Sequence, residues 1–183
     1  MFLFEVDSEV KLKYMDIYDA EELFQLTDSS RESLSEWLAW VDDTKTADDS
    51  KAFIESMIKS FADRRGMTTG ILYNGELAGV IGFHGFDWKN RIGSIGYWLG
   101  TAFHGNGIMT RATSGLLDYG FSRLKLNRVE IRAAYENYKS RAIPERLGFV
   151  KEGQIRQAEW LYDHYVDHVV YGMLANEWNE CKK

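Results

Sequence analysis

The stretch from Gly96 to Thr110 constrains this chain more than any other. The apolar run Gly96-Tyr97-Trp98-Leu99 meets a glycine-bearing turn, Gly100-Thr101-Ala102-Phe103-His104-Gly105-Asn106-Gly107. Beyond it Ile108, Ala112, Gly115, Leu116 and Tyr119 recur on one face at helical spacing. A second strand follows at Arg128 to Ala134, where Val129, Ile131 and Ala133 alternate with polar neighbours. Strand, helix and strand at this distance require a right-handed crossover between two parallel strands. The turn then opens the helix, and its backbone N–H groups converge where the helix dipole is positive. An anion, a pyrophosphate above all, can be held there without a lysine. A side chain at Gly105 or Gly107 would crowd that approach.

The rest of the chain supplies the sheet around this unit. Val10, Leu12 and Tyr14 alternate as an edge strand, and Asp16 or Asp19 can cap a short helix carrying Ala20, Leu23, Phe24 and Leu26. Leu34, Trp37, Leu38 and Val41 repeat at helical spacing. Thr46 caps a longer helix ending at Gly66, with Phe53, Ile54, Met57, Ile58 and Phe61 inward. Thr68 to Tyr73 and Leu77 to Phe83 flank Asn74-Gly75, a type I′ hairpin signal because both turn residues take positive φ. Ser94 to Leu99 is the next strand. Ser140 to Leu147 reads as a short helix stopped by Gly148, with Pro144 in its first turn. Phe149 to Gln154 and Tyr165 to Leu174 close the chain as an antiparallel pair. The fold class is α+β, a mixed sheet of about seven strands flanked by helices, with residues 1–183 forming one domain.

Composition narrows the function. The 183 residues are 45% hydrophobic and 27% charged, ordinary for a soluble globule, and no apolar run reaches the ~20 residues of a membrane helix. The N-terminus lacks the basic and apolar regions of a signal peptide. The single cysteine, Cys181, excludes a disulfide framework, and a cytoplasmic location is expected. A net charge of −6 argues against nucleic acid and favours a cationic substrate such as an amine or basic peptide. His164 and His168 share one strand face but stand ~13 Å apart, so no metal site is expected.

The turn and a second block together resemble the GNAT superfamily of N-acetyltransferases. The family signature is Gln/Arg-x-x-Gly-x-Gly/Ala; this chain has His104-Gly105-Asn106-Gly107-Ile108-Met109, keeping Gly107 and departing at His104 and Met109. Asn137-Tyr138-Lys139-Ser140, ending at Gly148-Phe149, is similar to the family's Asn-x-x-Ser…Gly-Phe element. Gly107-Ile108-Met109-Thr110, Trp37-Leu38-Ala39-Trp40-Val41 and Gln157-Ala158-Glu159-Trp160-Leu161 resemble the RimJ/RimL branch, which acetylates protein N-termini, including those of ribosomal proteins.

The resemblance implies a GNAT fold splayed between the fourth and fifth of the expected strands, with acetyl-CoA as cosubstrate and no metal. It places Trp98 and Leu99 on the pantetheine, His104, Gly105, Asn106, Gly107, Ile108, Met109 and Thr110 around the pyrophosphate, and Asn137 on the cofactor's amide arm. Glu159 would be the general base, acting through water, and Ser140 the proton donor to the departing thiolate, with Tyr135 and Tyr138 as rivals and an N-cap as the duller role for Ser140. Trp37 and Trp40 would wall the substrate side: Leu34, Trp37, Leu38 and Val41 pack, while Trp40 faces the cleft with Glu36, Asp42 and Asp43. The acceptor would be a protein or peptide N-terminus, of a ribosomal protein or another, attacked directly in a ternary complex. A small amine such as a polyamine or antibiotic, or a non-catalytic acyl-CoA-binding role, are the alternatives. The resemblance also allows a homodimer.

Overall fold

The computed structural model describes residues 3–181. Among the described residues eight strands form one sheet. Its order is β1 (Leu3–Glu5), β2 (Val10–Lys13), β3 (Met67–Tyr73), β4 (Glu76–Asp87), β5 (Ile92–Leu99), β6 (Arg128–Ala134), then β8 (His164–Leu174), with β7 (Val150–Leu161) at the far edge. The parallel pair is β5 with β6; the other neighbours are antiparallel. The expected count of about seven is corrected to eight. The addition is β1, which pairs Leu3 with Lys13 and displaces β2 from the edge. Three residues are too few to carry a readable alternation.

The helices are α1 (Ala20–Ser29), α2 (Arg31–Ser35), α3 (Ala47–Ala62), α4 (Ile108–Ser122), α5 (Tyr138–Arg146) and α6 (Ala175–Cys181). On one face of the sheet α4 places Ile108, Ala112, Leu116 and Leu117 in a cluster with Ile71, Ile81, Phe83, Ile95 and Ile131. On the other, α1 and α3 bring Leu23, Ile54 and Met57 together with Met15, Leu77 and Val80.

The Asn74-Gly75 turn takes φ of 51° and 91°, as a type I′ hairpin requires. Thr46 and Asp49 form a reciprocal capping box at the start of α3. Along α3 only Ile54 and Met57 of the expected inward set are buried; Phe53, Ile58 and Phe61 are exposed, and the helix ends at Ala62, not Gly66. Phe53 and Ile58 lie at the two borders of the apolar stripe. Phe61, in the last turn, packs tilted against the Tyr14 ring, centroids 5.0 Å apart.

The feature that positions the site is a parting of β5 from β6. They pair from Ile92↔Arg128 to Ile95↔Ile131 and then stop. β5 stays with β4 as far as Leu99, and β6 with β8 as far as Ala134 opposite His168. The sheet therefore opens between the two strands expected to splay, and the facing edges beyond Ile95 and Ile131 carry unpaired backbone groups.

Candidate active site

The opened strands and the turn after β5 enclose a cleft of about 730 Å³. The turn is fastened where it leaves β5: Gly100 N–H donates to the Ala78 carbonyl at 2.8 Å and Thr101 N–H to Ser30 Oγ at 3.0 Å. Gly105 and Gly107 take φ of +83° and +66°, the left-handed region that favours glycine. A Cβ at either would meet no protein atom within 4 Å, so within the protein it is the backbone conformation that demands glycine. Gly107 is the N-cap of α4 and provides no capping side chain. The N–H groups of Ile108, Met109 and Thr110 thus start the helix without intrahelical partners, as an anion site needs.

Most of the expected residues meet in this one cleft. Trp98, Leu99, His104, Gly105, Gly107, Ile108, Met109 and Thr110 line it, as do Asn137, Ser140, Glu159 and Trp37. Asn106 does not: its amide donates to the carbonyls of Phe103 and His104, and its own carbonyl accepts from Arg111, so it braces the turn.

The two tryptophans exchange roles. Trp37 and Glu36 line the cleft, whereas Trp40 packs its ring 5.9 Å from that of Trp98, and neither it nor Asp42 and Asp43 is among the lining residues. The continuous helical spacing fails because α2 ends at Ser35 and the chain restarts as a 3-10 turn over Ala39–Asp43. Arg31 enforces this by donating to the carbonyls of Val41 at 2.5 Å and Thr44 at 2.7 Å.

Helix α5 also differs from expectation. Asn137 is its cap, Oδ1 accepting from Ser140 N–H at 3.0 Å, so Ser140 is the third helical residue and not the N-cap. Asn137 lines the cleft as well. Pro144 consequently sits inside the helix, and its ring nitrogen cannot serve the Ser140 carbonyl four residues back. The Tyr97 hydroxyl donates there at 2.9 Å. Burial pushes the Tyr97 phenol well above its usual range, keeping it a donor.

Tyr135 and Tyr138 are not among the lining residues; Arg141 lies over both rings, at 5.2 and 5.4 Å. Arg111 is engaged by Asp7 and Glu9. Arg146 is the arginine beside the turn, lining the cleft and donating to Thr110 Oγ1 at 2.9 Å. At the far end Glu159 Oε2 lies 2.9 Å from His168 Nε2, and Tyr162 at the β7–β8 turn donates to the Ser35 carbonyl of α2 at 2.8 Å. Tyr97, Arg146 and His168 escaped the sequence reading as site residues. Register would have found His168, since β8 places it opposite the last residue of β6. Among the described residues no group of three or more His, Cys, Asp or Glu side chains is arranged to hold a metal ion, and no helix is long and apolar enough to cross a membrane.

Comparison with known proteins agrees with this geometry. The chain is 38% identical over 179 residues to a putative ribosomal N-acetyltransferase, YdaF, of Bacillus subtilis (strain 168), covering 97% of this chain and 98% of that one. It superposes with a TM-score of 0.89 and 33% identity on the microcin C7 self-immunity acetyltransferase MccE, solved with acetyl-CoA and AMP, over 92% and 94% of the two chains. RimL, a ribosomal L7/L12 alpha-N-protein acetyltransferase solved with coenzyme A, superposes with a TM-score of 0.92 at 26% identity over 96% and 99%. Residues 9–150 match the acetyltransferase (GNAT) domain family, and this chain belongs to it.

Proposed function

We propose that this enzyme transfers the acetyl group of acetyl-CoA to the α-amine of a protein N-terminus, that of a ribosomal protein first among them. One observation carries the reading: a single cleft joins an uncharged anion cradle, an unpaired pair of strand edges and, at its far end, Glu159. The relative from Bacillus subtilis and the RimL structure support the choice of acceptor.

In this reading the pyrophosphate sits on the first-turn N–H groups of α4, with Arg146 alongside, and the pantetheine arm runs between β5 and β6 as a surrogate strand, past Trp98 and Leu99 towards Asn137. An ammonium has no lone pair, so the acceptor must first lose a proton. An α-ammonium has an unperturbed pKa of about 7.7–8.0, within reach of a modest base. Glu159 takes that proton through water. The amine then attacks the thioester carbon, a backbone N–H of β5 near Leu99 steadies the oxyanion, the C–S bond breaks, and the second proton leaving the nitrogen is relayed to the thiolate through the Ser140 hydroxyl. The chain works as one domain in the cytoplasm, where nascent protein N-termini arise.

Acetylation of a small amine is the second reading, favoured by the likeness to MccE. Two measurements test the choice. Calorimetry should show acetyl-CoA binding, and CoA release should be faster with Ser-, Ala- or Met-starting peptides than with free polyamines. Faster release with polyamines would replace the acceptor; binding without release across the whole panel would leave an acyl-CoA-binding module.

A further inference from the structure

The ladder between β7 and β8 is interrupted where it borders the cleft. Ile155 stands opposite His168 and Glu159 opposite Val166, so Arg156, Gln157 and Ala158 face Asp167 alone. An unbroken ladder running on from Ile155 would set Glu159 opposite His164, four residues and roughly 13 Å from His168. The two extra residues draw the carboxylate back towards His168. Because two is an even number, Glu159 also stays on its original face of the hairpin. The bulge is held in place: Asp167 accepts from Gln157 N–H at 2.8 Å and from the Gln154 amide at 2.7 Å, while Gln157 adopts φ of +49°. A two-residue bulge with a left-handed non-glycine residue sacrifices ladder bonds and adds backbone strain, and such bulges serve to re-aim a side chain.

We propose that His168 is a positioning residue for Glu159, and that the bulge pinned by Asp167 is what sets the two against each other. The inference rests on the reading of Glu159 as the base. An ionised carboxylate only accepts, so Nε2 of His168 carries the hydrogen and holds Oε2 at 2.9 Å. Oε1 is then free for the water that leads to the acceptor amine. His168 suits the task because its side chain is only 19% exposed, whereas that of Glu159 is 44% exposed and needs an anchor.

The test measures CoA release from acetyl-CoA with a synthetic peptide beginning in serine. His168→Leu should lower kcat about ten-fold with the acetyl-CoA Kd unchanged, and His168→Gln, whose amide N–H reaches towards the same oxygen, should stay within about three-fold of wild type. Asp167→Ala, which frees the bulge, should follow His168→Leu. Adding His168→Leu to Glu159→Gln should cost nothing more, because the first residue acts through the second. A full additive loss, or an unimpaired His168→Leu, overturns the proposal. Nitrogen-resolved NMR of the imidazole decides without any acceptor: the Nε2–H tautomer, with a resonance that moves in Glu159→Gln, is expected, and the Nδ1–H tautomer overturns the proposal. Failure of the wild-type protein to turn over the peptide would instead strike the acceptor assignment and leave the imidazole result standing.

Discussion

Glu159 and Ser140 face the same cleft from different elements, one from the bulged edge strand and one from the first turn of α5. Glu159→Gln keeps the shape and removes the proposed base, so turnover should fall about 10²- to 10⁴-fold while calorimetry finds acetyl-CoA affinity unchanged. An equal loss in both would make Glu159 a binding residue. That both line the cleft was legible because each sits in a block that resembles the family's. Trp40 was misjudged for a reason invisible to spacing. Arg31 reaches ten and thirteen residues along the chain to two carbonyls and turns the segment out of a helix. No local periodicity encodes that clamp.

Among the elements, those governed by local rules were readable: the positive-φ hairpin at Asn74-Gly75, the capping box of α3 and the crossover through α4. α5 was readable in outline only, because a proline within a helix survives on a tertiary partner. Tyr97→Phe removes the donor to the Ser140 carbonyl and should destabilise the protein by about 1–3 kcal/mol, the range for an orphaned buried acceptor. Adding Pro144→Ala restores a helical N–H to that carbonyl, so in chemical denaturation the double variant should lose less than Tyr97→Phe alone. The glycine turn separates two demands in the same way. Gly107→Ala meets the left-handed penalty of about 1–2 kcal/mol. Gly107→Asn tolerates that conformation and should melt near wild type, yet still weaken acetyl-CoA binding by placing a side chain over the cradle. Normal affinity in Gly107→Asn would move the pyrophosphate elsewhere.

Over the whole molecule, acid sensitivity follows from carboxylates held below their ordinary range, Asp7, Asp49, Asp87, Glu152, Asp163 and Asp167 among the described residues; three show the causes. Backbone N–H of Lys45 and the Thr46 hydroxyl lower Asp49, backbone N–H of Gln157 and the Gln154 amide lower Asp167, and the Arg128 guanidinium lowers Glu152. Their ordinary values are 3.8 for aspartate and 4.5 for glutamate. Each binds protons more weakly folded than unfolded, so its stabilisation is complete above those ordinary values and is lost as pH falls through the depressed ones. Tm should therefore hold down to about pH 5 and drop below it, less steeply in Arg128→Met, where Glu152 no longer contributes. Three strand pairings followed from the crossover and the hairpins, but the insertion of β8 between β6 and β7, β1 and the bulge of β7 did not, since a three-residue strand and an inserted pair leave no periodic trace.

Four residue pairings, Ile92↔Arg128 to Ile95↔Ile131, are the ladder that joins the two halves of the sheet. A nucleotide thioester in the seam, as proposed, would add a second line of stitching, and at one hundred times its Kd it would contribute about 2.7 kcal/mol to the folded state. With the cosubstrate in that seam as proposed, heat tolerance becomes a gauge of its supply, and Tm should climb as acetyl-CoA is titrated in.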